Sequence, residues 1–317
     1  MSTTENEPPW ERQLLEKVAF AALREQRAKR RWGIFFKLAG LSYLIAVLVM
    51  VVDWGGSEQL ADARHTAVIH LHGTIEAQGE ASAQNINNAL EEAFADKRTA
   101  GVILRVNSPG GSPVQAGIVH DEIRRLRTKH PQIPLYAVVE DVCASGGYYI
   151  AAAADKIFVD KASIVGSIGV LMDAFGFTGT MEKLGIERRL LTAGDNKGFL
   201  DPFSPQDAKQ KAHAQVLLRE IHEQFIDVVR RGRGDRLKDT PELFSGLMWT
   251  GSQSVGLGLA DGLGTVGSVA RDVIKADRIV EFTIRENIAE RFARRFRADS
   301  TDGVVGSLLG AGRLMFR

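Results

Sequence analysis

GVILRVNSPGGSPVQAGIVHDEIRRLRTKHPQIPLYAVV, residues 101–139, decides the fold. Gly101–Val106 and Leu135–Val139 are short apolar, branched runs that read as strands, and Val114–Lys129 between them reads as a helix. Strand, helix and strand in that order make a parallel pair joined by a right-handed crossover. Upstream, Thr66–Leu71 is another apolar strand ending at Gly73, and Ala83–Asp96 a helix. Downstream come a short apolar helix, Gly146–Ala154, and a strand, Ile157–Val159. The βαβαβ alternation predicts an α/β domain whose mostly parallel sheet is covered by helices. Beyond it, Phe177–Leu184 reads as helix and Arg188–Thr192 as strand. Pro205–Arg231 reads as a long amphipathic helix capped at Ser204 with Pro205 in its first position.

With 317 residues, 44% of them hydrophobic, the chain can bury a full core, so one large domain with appendages is expected. A formal net charge of +1 gives no global attraction to polyanions, and no basic patch marks the central region, so no nucleic-acid partner is expected. One cysteine, Cys143, excludes an internal disulfide framework.

Gly33 to Val52 reads GIFFKLAGLSYLIAVLVMVV, with Lys37 as its one charge. That length suffices to span a bilayer, and anchor 33–53 is assigned to it. Arg12, Lys17, Arg24, Arg27, Lys29, Arg30 and Arg31 precede it and Asp53, Glu58 and Asp62 follow, which places the amino terminus in the cytoplasm. A cleaved signal peptide is the weaker reading, because more than thirty residues come before the apolar run and the small-residue site Ala61–Ala63 lies well beyond it. The expected organisation is a basic amphipathic cytoplasmic segment (1–32), the anchor, a linker (54–65), the α/β domain (66–280) and a basic amphipathic tail (281–317).

Three places could carry chemistry. Asn107–Ser112, NSPGGS, follows a strand, and its paired glycines could aim backbone amides into a cleft as an oxyanion hole. A plain strand-to-helix turn accounts for Pro-Gly-Gly equally well. Ala144–Tyr149, ASGGYY, puts Ser145 where a strand meets a helix, with the Gly146 amide at the helix start, where negative charge is stabilised. A serine there could instead be a simple helix cap. GDNKGFLDPFSP, residues 194–205, sets Lys197 beside Phe199, Leu200 and Phe203. A lysine acting as a base must shed its proton, which apolar surroundings promote; a solvated loop lysine is the alternative.

Taken together, these residues resemble the signal peptide peptidase A family, the protease IV type, in its short single-repeat form. LRVNSPGGS (104–112), ASGGYYIA (144–151), VGSIGV (165–170), GDNKGFLDPF (194–203) and MWTGSQSVGLGLADGLG (248–264) stand in the family's order, within Thr66–Ala276. The resemblance implies a crotonase/ClpP-like fold, a serine protease without metal or cofactor, and a Ser-Lys dyad. Ser145 would be the nucleophile and Lys197 the general base. Gly146 with Gly111 or Gly110 would form the oxyanion hole, and Ser167 would hold the lysine in line. It further implies a ring-like homo-oligomer in which the serine of one protomer meets the lysine of the next. The substrates would be cleaved signal peptides and other short or unfolded peptides. The setting would be the outer, periplasmic side of the bacterial cytoplasmic membrane.

Other readings are weaker. His70 and His72 share one strand face but lack a third metal ligand. Cys143, two residues before Ser145, has nothing nearby to lower its pKa. The acyl-CoA hydratase branch of the crotonase fold would not need the serine, the lysine loop or the anchor. A catalytically silent membrane scaffold or peptide-binding protein on the same fold remains the alternative.

Overall fold

A computed structural model describes residues 29–47, 64–238 and 240–283. The chain divides into two units, Met1–Ala63 and Arg64–Arg317. In the first, residues 29–47 form helix α1, along which Ile34, Phe35, Phe36, Leu38, Leu41 and Leu44 are exposed. Among the described residues no helix is long and apolar enough to cross a membrane. The expected anchor continues through residues 48–53, which lie outside the described ones, as do most of the amino-terminal segment, most of the linker and the tail from 284.

The second unit is mixed α/β. Strands β1 (His65–His72), β2 (Thr99–Ser108) and β3 (Leu135–Ala144) are parallel and linked by helices α2 (Ala83–Ala95) and α3 (Pro113–Lys129). Ser82 caps α2 by accepting from the Asn85 amide; Ser112 caps α3 by accepting from Gln115, with Pro113 in the first turn. After β3 come α4 (Gly146–Ala151), β4 (Lys156–Val159), β5 (Ile164–Gly166), α5 (Thr178–Lys183) and α6 (Ala208–Arg233). The domain closes with β6 (Met248–Thr250), α7 (Gly251–Gly256), β7 (Gly262–Leu263), α8 (Val266–Ser268, continued by a π-helix over Val269–Ile274) and β8 (Ile279–Glu281). The sheet runs β6-β5-β3-β2-β1-β8, with β4 between β3 and β7 off that path. Among its pairings only β5 with β6 is antiparallel.

β3 changes neighbours along its length. Tyr136–Val138 pair with β4, whereas Val142–Ala144 pair with β5. A register shift between Val106 and Ser108 on β2 accompanies the change. The far half of β3 thereby leaves β4 and carries Ala144 up to Gly166 of β5. The main core lies between the sheet and α2, α3, α4 and α6, where Leu71, Leu104, Ile123, Tyr148 and Val229 are fully buried. Burying one such aliphatic side chain contributes about 1.5–3 kcal/mol. A smaller cluster on the opposite face sets Val68, Ile103 and Val138 against Val269 and Ala270.

Two expectations are corrected. Arg188–Thr192 forms no strand; it is exposed and has no neighbour to pair with. The long helix starts at Ala208, because Asp207 accepts hydrogen bonds from the Lys209 and Gln210 amides, while Ser204 hydrogen-bonds Asp201 instead.

Candidate active site

Ser145 stands between β3 and α4 with φ 51° and ψ −123°, a conformation side chains beyond glycine rarely adopt. Its amide donates to the Gly166 carbonyl (2.9 Å) and its carbonyl accepts from Tyr149 (2.9 Å), so the backbone is clamped by β5 on one side and the first turn of α4 on the other. Its hydroxyl makes no capping hydrogen bond, which removes the plain helix-cap reading.

Gly110 and Gly111 run beside it, at φ 105° and 150°. A Cβ at Gly110 would stand 2.7 Å from the Ser145 Cβ and 2.8 Å from the Gly146 nitrogen; one at Gly111 would be 2.2 Å from the Ile75 carbonyl oxygen. Only glycine permits both approaches. The Gly110 amide donates to Ser108 Oγ (3.2 Å), which in turn donates to the Gly73 carbonyl (2.6 Å), so this amide is engaged within the fold. The Gly111 nitrogen lies 3.4 Å from the place a Cβ on Gly146 would take.

Ser167 follows β5 as Ser145 follows β3, with the same φ of 51°. Its amide donates to Leu247 (2.7 Å). Ser145, Gly146, Gly111 and Ser167 line one cleft of about 580 Å³, walled by Pro113, Ala116, Tyr149, Val170, Leu171, Ile221, Gln224 and Phe225. The wall is mostly apolar and suits an extended peptide with hydrophobic side chains. Periodicity marks Phe225 as a helix residue facing a core, but nothing in the sequence alone ties α6 to Ser145.

Lys197 is not brought to this cleft within one chain. It is exposed in a turn closed by its own amide donating to Gly194 (3.1 Å), and it is absent from the cleft lining. The aromatic residues expected around it pack elsewhere: Phe203 stacks on Phe177 (5.4 Å) beneath Arg188, and Phe199 meets His213 edge-on (5.8 Å).

The remaining candidates fall into structural roles. His70 Nε2 lies 2.9 Å from the Glu281 carboxylate across β1 and β8. Among the described residues no group of three or more His, Cys, Asp or Glu side chains could hold a metal. Cys143 is fully buried, and burial pushes its thiol far above the ordinary range, so it offers no nucleophilic thiolate. One group the sequence did not single out is His120, stacked edge-on against the cleft residue Tyr149 (5.4 Å). Burial lowers its pKa, partly offset by the Asp121 carboxylate.

Residues 127–279 match peptidase family S49. The chain is 47% identical over 209 residues to the Na(+)/H(+) antiporter NhaA of Brucella abortus (strain 2308), a match that takes in 64% of this chain but 28% of the antiporter. It is 29% identical over 261 residues to the "Putative signal peptide peptidase SppA" of Enterococcus faecium, covering 80% of this chain and 72% of that protein. It is 31% identical over 265 residues to the "Putative protease MJ0651" of Methanocaldococcus jannaschii, covering 80% and 84% respectively.

Proposed function

The chain belongs to peptidase family S49, the signal peptide peptidase A family, and from that premise we propose that it is a membrane-anchored serine endopeptidase working through a Ser145–Lys197 dyad. The observation that carries the reading is Ser145 itself, held at φ 51° in a cleft beside the Gly146 and Gly111 amides with its hydroxyl uncommitted to capping.

In the proposed mechanism Ser145 Oγ attacks the scissile carbonyl and its proton passes to the neutral Lys197 amine. The Gly146 and Gly111 amides hold the oxyanion, because the Gly110 amide is already spent on Ser108. As the tetrahedral intermediate collapses, the lysine ammonium gives its proton to the leaving amine. Water, deprotonated by the same lysine, then releases the acyl group and restores the serine. Ser167, one strand over in the same cleft, would position the lysine. Because Lys197 is exposed and outside the cleft of its own chain, the lysine is assigned to a neighbouring protomer in a ring-like homo-oligomer. Burial at that junction would supply the apolar surroundings a neutral amine needs. The apolar walls favour residual signal peptides and unfolded segments as substrates. Gly33–Asp53 would anchor the enzyme in the bacterial cytoplasmic membrane with the catalytic domain outside.

The exposure of Lys197 is also what a catalytically silent, peptide-binding scaffold would show. Casein hydrolysis by the detergent-solubilised full chain, with a fluorophosphonate probe for Ser145, separates the two. The dyad predicts that Ser145→Ala and Lys197→Ala each lower the rate by about 10²-fold or more, with the oligomer intact. An inert, unlabelled wild type would overturn the dyad in favour of the scaffold, and a Lys197→Ala variant at full rate would require another base.

A further inference from the structure

The sheet face away from the catalytic cleft is only half covered. Its lower half packs under Val269 and Ala270. Its upper half opens into a groove of about 910 Å³ that holds Arg105, Glu140, Asp141, Asp160, Ile164 and Ile279. Arg105 is ion-paired with Glu140, and Asp141 and Asp160, which accept from the Asn107 side-chain amide (2.9 Å) and the Ala162 backbone amide (2.9 Å) but face no described cation there, set the sign of the groove. Ile164 and Ile279, 37% and 41% exposed, add apolar surface that nothing described covers.

The described chain ends beside this groove. Phe282 donates its amide to Val68 (2.9 Å), and Thr283 Oγ1 accepts from the His70 amide (2.9 Å), so the backbone is tied to β1 up to its last described residue. His70 is in register with Arg105 on β2, two strand spacings or about 10 Å across from the line of β8. The next residues read IRENIAERFARRFR (284–297), with Ile284, Ile288, Phe292 and Phe296 at every fourth place and five arginines against two glutamates. Such spacing gives an apolar stripe flanked by positive charge when the segment is helical.

From the acidic groove, its bare isoleucines and the point where the tethered chain arrives, we infer that residues 284–297 dock in the groove of their own chain. The apolar stripe covers Ile164 and Ile279, and the arginines meet Asp141 and Asp160. The inference is independent of the dyad, since it concerns the opposite face of the sheet.

The test uses the full chain in detergent with a benzophenone amino acid in place of Phe292, irradiated and mapped by peptide mass spectrometry. Adducts are expected within residues 105–107, 138–141, 160–164 or 264–267 of the same chain, with a yield that falls as ionic strength rises. Asp141→Lys with Asp160→Lys should cut that yield about five-fold, the effect of two weak ion pairs, and adding Arg294→Asp with Arg295→Asp should restore most of it. If the reversed pair disturbs folding, Asp141→Asn with Asp160→Asn gives the same direction. Adducts at the catalytic cleft, between two chains or to lipid and detergent alone would overturn the assignment, as would a salt-independent yield.

Discussion

Ser145 and Ser167 share a φ of 51°, each one residue past a strand end. A conformation that sets Cβ against the backbone costs on the order of 1–3 kcal/mol, and two neighbouring strands impose it side by side. Ser145→Ala keeps the Cβ and hence the strain; Ser145→Gly removes it. Both variants should be inactive, but the glycine variant should melt about 2–4 °C above the alanine variant, measured by thermal denaturation. A second residue-scale prediction concerns Asp261, which accepts from the Ile157 amide (2.7 Å), from Arg233 (2.8 Å) and from Arg236 (3.0 Å). Arg233 is 1% exposed, so Asp261→Asn leaves a buried cation without its partner and should cost about 3–5 kcal/mol in urea unfolding. Burial pushes the Asp261 carboxyl up, but the hydrogen bonds and charge of Arg233 and the Ile157 amide outweigh it and hold the pKa below the ordinary value. The stabilisation is therefore complete above an unfolded pKa of about 3.9 and lost as pH falls through the lower folded value. The wild-type melting temperature should drop steeply below about pH 4, and the Asp261→Asn curve should be flatter there.

At the scale of elements, α6 carries the far wall of the cleft through Ile221, Gln224 and Phe225, and its seat on the α4 turn is set by Gly232. A Cβ at Gly232 would come within 2.1 Å of the Ala152 carbonyl oxygen, so Gly232→Ala must lift the end of the helix. The expected cost is about 1–3 kcal/mol in urea unfolding, with a lower rate on casein from a displaced wall. The helices and strands from residue 65 to 144 were legible because each is long enough to show its period and is punctuated by turn formers or caps. The strand expected at Arg188–Thr192 had the right residue types but no edge to join. Conversely β5, β6 and β8, three residues each, have no period to read; they exist because β3, β5 and β1 offer open edges. Of the expected site residues, Ser145, Gly146, Gly111 and Ser167 lie in local motifs that the fold gathers around one cleft, Gly110 and Lys197 do not line it, and the contribution of α6 is a long-range contact that no local pattern announces.

For the whole molecule, the separation of Lys197 from the cleft turns the proposed dyad into a question of assembly. If one protomer supplies the serine and the next the lysine, Ser145→Ala and Lys197→Ala chains, each inactive alone, should recover activity when dissociated, mixed in equal amounts and reassembled. Random mixing around a heterologous ring leaves about a quarter of the junctions with both groups intact, so about a quarter of the wild-type rate is expected on casein. A mixture that stays inert while forming mixed rings would return the base to within one chain. The buried Cys143 has a consequence for a molecule exported as proposed. It is the chain's one cysteine, and with its thiol buried there is none for glutathione or a disulfide oxidase to engage. If the α/β domain lies outside the membrane as proposed, the protein should need neither a disulfide to mature nor a thiol reductant to stay active there.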